Sequence, residues 1–131
     1  PAYANWCGLS FERICLLHIR QIKKALGIAG ILSNEFSWRT PPYADLPGVE
    51  IDLLIERADK VFNLCEMKFT KNPFTIDKKY SANLQNKVAR LKDVTKTKNA
   101  IFLTMITASG LTSNEYAGDV QNTLNADDLF G

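Results

Sequence analysis

Histidine is almost missing from this sequence: His18 is the only one in 131 residues. Cysteine is little richer, with Cys7, Cys15 and Cys65 and no Cys-x-x-Cys pair, so no ligand quartet has zinc spacing. Cys15 and Cys65 fall in apolar patterns and read as small core residues, a usage that suits a reducing cytoplasm. No apolar run is long enough to span a bilayer, and no basic-then-apolar signal sequence opens the chain, so no membrane role is expected. A Gly-rich phosphate loop is also lacking, which excludes nucleotide binding by that route. Charge of one sign is scarce too: 16 Lys and Arg against 14 Asp and Glu leave +2, too little to mark a polyanion binder.

What is present fits one α/β domain over residues 1–131, with 46% hydrophobic residues to fill a single core. Pro1 to Trp6 reads as a cut edge, so the chain is expected to be excised from a longer protein. The positive charge is concentrated. From Lys68 to Lys98 there are nine Lys and Arg (68, 71, 78, 79, 87, 90, 92, 96, 98) against Asp77 and Asp93. Such a stretch is able to follow a phosphate backbone, and a solvated helix face would look the same.

Hydrophobic periodicity predicts a helix over about residues 8–26, with Phe11, Ile14, Cys15, His18, Ile19, Ile22, Ala25 and Leu26 as its buried stripe. Ser10 is a candidate N-cap and Gly27 the stop. A strand is expected within 28–38, and the Pro-rich segment 39–48 reads as loop. Residues 49–56 and 61–69 form a hairpin around Ala58, Asp59 and Lys60. Strict alternation puts Ile51, Leu53 and Ile55 on one face of its first strand and Glu50, Asp52, Leu54 and Glu56 on the other. A second helix is predicted over 77–94, with Tyr80, Leu84, Val88 and Leu91 inward, then strands at 100–107 and 119–124. The order is helix, three strands, helix, two strands: a mixed sheet flanked by helices. Trp6, Phe36, Trp38 and His18 read as core or rim residues.

Chemistry concentrates in the hairpin. Glu66 and Lys68 share a face of an otherwise apolar strand, and Asp52 interrupts an apolar run on its neighbour. Charges so placed need partners, because burying an unpaired carboxylate or ammonium costs several kcal/mol or more. A structural ion pair from Lys68 to Glu66 or Asp52 would meet that need. A divalent cation between the carboxylates would also meet it, and hard oxygen donors suit Mg²⁺ or Mn²⁺. Glu50 lies nearer the strand start and is given an edge role.

Val49-Glu50-Ile51-Asp52 followed by Leu64-Cys65-Glu66-Met67-Lys68 resembles the signature of the PD-(D/E)XK nuclease superfamily, with Ile51 where that signature has proline. The resemblance implies a restriction-endonuclease-like αβββαβ core and a metal-dependent nuclease. Its metal ligands would be Asp52, Glu66, the Met67 carbonyl and Glu12 of the first helix; its catalytic lysine would be Lys68. Gln85 would face the site from the second helix, and Lys71, Lys78, Lys79 and Lys87 would contact nucleic acid, DNA before RNA. More narrowly, residues 8–28, 49–68, Val120-Gln121-Asn122 and Asp127-Asp128-Leu129-Phe130 resemble the C-terminal domain of bacterial AAA-type ATPases of Bacteroidetes. That implies an ATPase module before Pro1, and a homodimer is among the assemblies it allows. The alternative it leaves open is a catalytically silent module that binds nucleic acid or regulates the ATPase.

Overall fold

In the computed structural model, which describes residues 11–130, residues 11–17 are helical (α1) and the chain turns at His18. It resumes as α2, Ile19–Ala25. The first expected helix is therefore two, and Nδ1 of His18 lies 2.7 Å from the Ile14 carbonyl oxygen at the break. Ser10 lies outside the described residues. Gly27 ends α2 at φ +76°. Its N–H donates to the Lys24 carbonyl and that of Ile28 to Lys23, at 3.0 and 2.9 Å. This is the Schellman pair of bonds, and its left-handed residue is cheapest without a Cβ. Phe11, Cys15 and Ile22 are buried, with Ile19 and Leu26 packed on them, whereas Ile14 and Ala25 are exposed, a correction to the expected stripe.

Five strands make one sheet in the order β1 Ser33–Thr40, β2 Val49–Arg57, β3 Val61–Lys68, β4 Ala100–Thr107 and β5 Asn122–Asn125. The first three form an antiparallel meander, while β4 and β5 add in parallel. A parallel neighbour requires a crossover, which α3, Lys78–Thr95, supplies between β3 and β4. Asp77 caps α3 by accepting the Tyr80 N–H at 2.7 Å. Strand β1 runs further than expected, because Arg39 and Thr40 pair with Glu50 and Val49. The last strand begins later, since Ala117–Asp119 forms a 3₁₀ turn. A short helix α4, Ala126–Phe130, follows and was not foreseen. Its signal was legible: Asn125 and Asp128 exchange backbone-to-side-chain bonds of 2.8 and 3.2 Å, a capping box.

The helices take opposite faces. Leu84 and Leu91 of α3 pack with Ile51, Leu54, Leu64 and Met105, whereas α1, α2 and α4 cover Leu53, Ile55, Cys65, Met67 and Ile106. Both described cysteines are buried free thiols, and burial pushes Cys15 up to about 12, so it stays neutral. Among the described residues, no helix is long and apolar enough to cross a membrane.

Strict alternation fails in β2. Phe36 pairs with Leu54 but Trp38 with Ile51, so Ser37 faces both Asp52 and Leu53. That is a β-bulge, and it flips the phase of the strand. Ile51 consequently packs on the α3 side with Leu54 rather than with Leu53 and Ile55. The extra residue falls at Asp52.

Arg90 ties the long β1–β2 loop to α3. Its buried guanidinium donates to the carbonyls of Pro47 and Pro41 at 2.8 and 3.2 Å. Arg90→Met would leave both acceptors short of a donor and is expected to cost roughly 2–4 kcal/mol, read by urea denaturation. A change within experimental error would show that water replaces the guanidinium.

Candidate active site

Strands β2 and β3 pair from Glu56↔Phe62 as far as Leu53↔Cys65, and the regular ladder stops there. Beyond it, side chains take over the backbone donors. The Asp52 N–H donates to Oε2 of Glu66 at 3.3 Å, and the Met67 N–H donates to Oδ2 of Asp52 at 3.2 Å. Each carboxylate thus caps the opposite strand, and both are held where the bulge has opened the sheet. In extended chain a residue's N–H and C=O point to the same side, so the Met67 carbonyl is directed into the same gap. Glu66 is 4% exposed, and Asp52 is half-buried.

The other oxygen of Glu66 accepts from Nζ of Lys87, which reaches in from α3 as an ion pair. The side chains of this pair are 5% and 13% exposed, so solvent screens it little. Lys87 was expected to face nucleic acid; here its ammonium is engaged by Glu66. Even so, the Glu66 carboxyl is held above its ordinary range. Burial is the main cause and the Asp52 charge the second, with Lys87 pulling the other way. Two carboxylates on one side and one ammonium on the other leave the gap short of positive charge.

Lys68 does not join that pair. Among the described residues no carboxylate lies within ion-pair distance of it. Its Nζ sits 5.0 Å from the ring centre of Tyr80 and 5.8 Å from that of Phe74, and these rings meet edge-to-face at 5.1 Å. The aromatic pair orients the half-buried ammonium by its negative ring faces. Sequence periodicity marked Tyr80 only as core. Its hydroxyl is buried with no hydrogen-bond partner among the described residues, and burial followed by the charges of Glu66 and Asp52 raises its pKa. Tyr80→Phe keeps the ring beneath Lys68 and removes the orphaned hydroxyl. It is expected to raise the melting stability of the metal-free protein by about 1 kcal/mol. A loss of stability would show that the hydroxyl is satisfied by water.

Glu12 on α1 is half-buried. Burial raises its pKa first and the charges of Asp52 and Glu50 next, with Lys68 opposing, which places it within electrostatic reach of the gap. Among the described residues, however, no three His, Cys, Asp or Glu side chains converge to hold a metal ion. The donor set still fits Mg²⁺ or Mn²⁺: two carboxylates and a carbonyl directed at one gap are hard oxygens, and Mg²⁺ commonly retains several waters. Glu50 is exposed and pairs across the sheet with exposed Arg39 at 3.2 Å, a contact worth little.

The remaining candidates divide by position. Lys71, Lys78 and Lys79 are exposed. The loop carrying Lys71 is pinned by Ser109, whose hydroxyl donates to the Thr70 and Lys71 carbonyls at 2.8 and 3.1 Å. Phe74 is bonded into the same segment through Gly110 and Thr112. Gln85 is exposed, and no hydrogen bond joins it to Asp52, Glu66 or Lys68.

No protein-family profile and no curated protein matches this chain. A solved structure does: a protein of unknown function, AF1548, superposes with a TM-score of 0.53 at 18% identity, over 80% of this chain. The likeness shows the fold. The chain is an α/β domain with a mixed five-stranded sheet flanked by helices, an arrangement consistent with the expected restriction-endonuclease-like fold. It spans about half the length of AF1548, 54%.

Proposed function

We propose that this domain is a divalent-metal-dependent nuclease hydrolysing phosphodiester bonds, in DNA, in the cytoplasm. The observation that supports this most is the meeting of Asp52 and Glu66 at the point where β2 bulges and parts from β3. Asp52, Glu66 and the Met67 carbonyl would hold Mg²⁺ or Mn²⁺, with Glu12 as a further ligand reaching in from α1. The ion would polarise a phosphodiester oxygen and acidify water. Lys68, poised over Phe74 and Tyr80, would stabilise the charge that develops on the phosphate. Exposed Lys71, Lys78 and Lys79 would guide the backbone, a contribution that weakens with salt.

The Lys87–Glu66 ion pair favours one rival. A carboxylate already neutralised by the protein is able to serve a silent, nuclease-like module that regulates an attached ATPase or binds nucleic acid. Incubation with Mg²⁺ or Mn²⁺ and a panel of single- and double-stranded DNA and RNA separates the two. The nuclease cuts, and cutting is lost in Lys68→Ala. Intact substrates across the panel, with folded protein, would favour the rival.

A further inference from the structure

The Glu66 carboxylate has two prospective cationic partners, the Lys87 ammonium and a divalent ion, which repel each other. One oxygen is occupied by Lys87 and the other by the Asp52 N–H. An ion drawing on Glu66 and Asp52 together would sit on the carboxylate that already carries the ammonium, at the cost of two cations held close to each other. Lys87 can leave. It stands on the third turn of α3, its stem is flexible, and its side chain retains 13% exposure, so a path to solvent exists.

We propose that Lys87 sets the cation affinity of this site by competing for Glu66. In the metal-free protein its ammonium stands in for the divalent ion, and metal binding displaces it toward the open mouth of the gap. This rests on the metal reading above and goes further, because it assigns a role to a residue that the acid-x-lysine signature does not contain. The competition has two consequences. The apo site is protected from carboxylate repulsion, so Asp52 and Glu66 can be buried together before metal arrives. Released Lys87 is also delivered beside the cation, where a phosphate oxygen would replace the carboxylate as its partner.

The test is calorimetric titration of the whole chain with Mn²⁺, checked by the electron paramagnetic resonance signal of free Mn²⁺. Lys87→Gln keeps a donor to Glu66 without the charge, and Lys87→Met removes both. Each is expected to tighten the Mn²⁺ dissociation constant by about tenfold or more. Lys87→Gln keeps the question answerable if the methionine variant folds poorly. Unchanged affinity in both, with binding abolished in Asp52→Asn, would overturn the competition and leave the metal site standing. Weaker affinity in both would overturn it as well, showing that Lys87 supports the site. Binding in the variants alone would support it in its strongest form. No binding in any of the proteins would overturn the inference and the metal reading together.

Discussion

Asp52→Asn is expected to lower metal-dependent cleavage by at least about a hundredfold while leaving the fold intact, since a metal supplies several kcal/mol of charge stabilisation. The asparagine carbonyl can still accept the Met67 N–H that Asp52 now holds at 3.2 Å. The junction between β2 and β3 should therefore persist, and far-ultraviolet circular dichroism should be unchanged. What disappears is charge. Glu66 already shares its own with Lys87, so Asp52 carries most of the uncompensated negative charge in the gap. Removing it leaves a neutral oxygen donor, poorly matched to a hard dication. Single-turnover cleavage in Mn²⁺ measures the effect, and a rate equal to that of the unaltered protein would remove Asp52 from the site.

Lys87→Met is expected to cost roughly 3–5 kcal/mol of stability at neutral pH in the absence of metal, because one member of a buried pair is left without its partner. Methionine preserves the length and packing of the lysine stem, so the loss reports the charge. The pH dependence has a definite sign. Glu66 is held above the ordinary carboxylate range by burial first and by Asp52 second, against the pull of Lys87. With a raised pKa the folded protein binds the proton more tightly than the unfolded chain does. Stability from this group is therefore full below the ordinary carboxylate pKa and is lost as pH rises through the folded value. Without Lys87 the folded value rises further. The deficit of Lys87→Met should thus be small near about pH 4 and grow toward about pH 7. Urea denaturation across that range checks it; an equal deficit at both ends would mean that the loss comes from packing. Saturating Mn²⁺ should restore part of the stability, as any ligand that binds only the folded state does.

The two lysines show how far sequence reasoning reached. Lys68 was legible because period-two alternation ties it to Glu66 on one strand, and the structure keeps both on the α3 side. Lys87 was legible only as one of many basic residues on a helix. Nothing local distinguishes it from Lys78, Lys79 or Lys92, which are exposed. Arg90 was obscured in the same way, as a charge in a basic run that turns out to be buried under the β1–β2 loop.

By itself the sequence determined the five strands in their order, the helix between the third and fourth of them, the hairpin bearing Asp52, Glu66 and Lys68, and the buried character of that hairpin. These follow from short-range rules: side-chain period, turn residues, caps and the cost of an unpaired charge. The tertiary structure alone decided the bulge that places Ile51 with Leu54, the capping of each strand by the other's carboxylate, and the choice of Lys87 over Lys68 as the partner of Glu66. Each depends on the register of β2 between two neighbours or on the rotation of α3 over the sheet. Those quantities are set by how two faces pack against each other, and no window of a single strand or helix contains both.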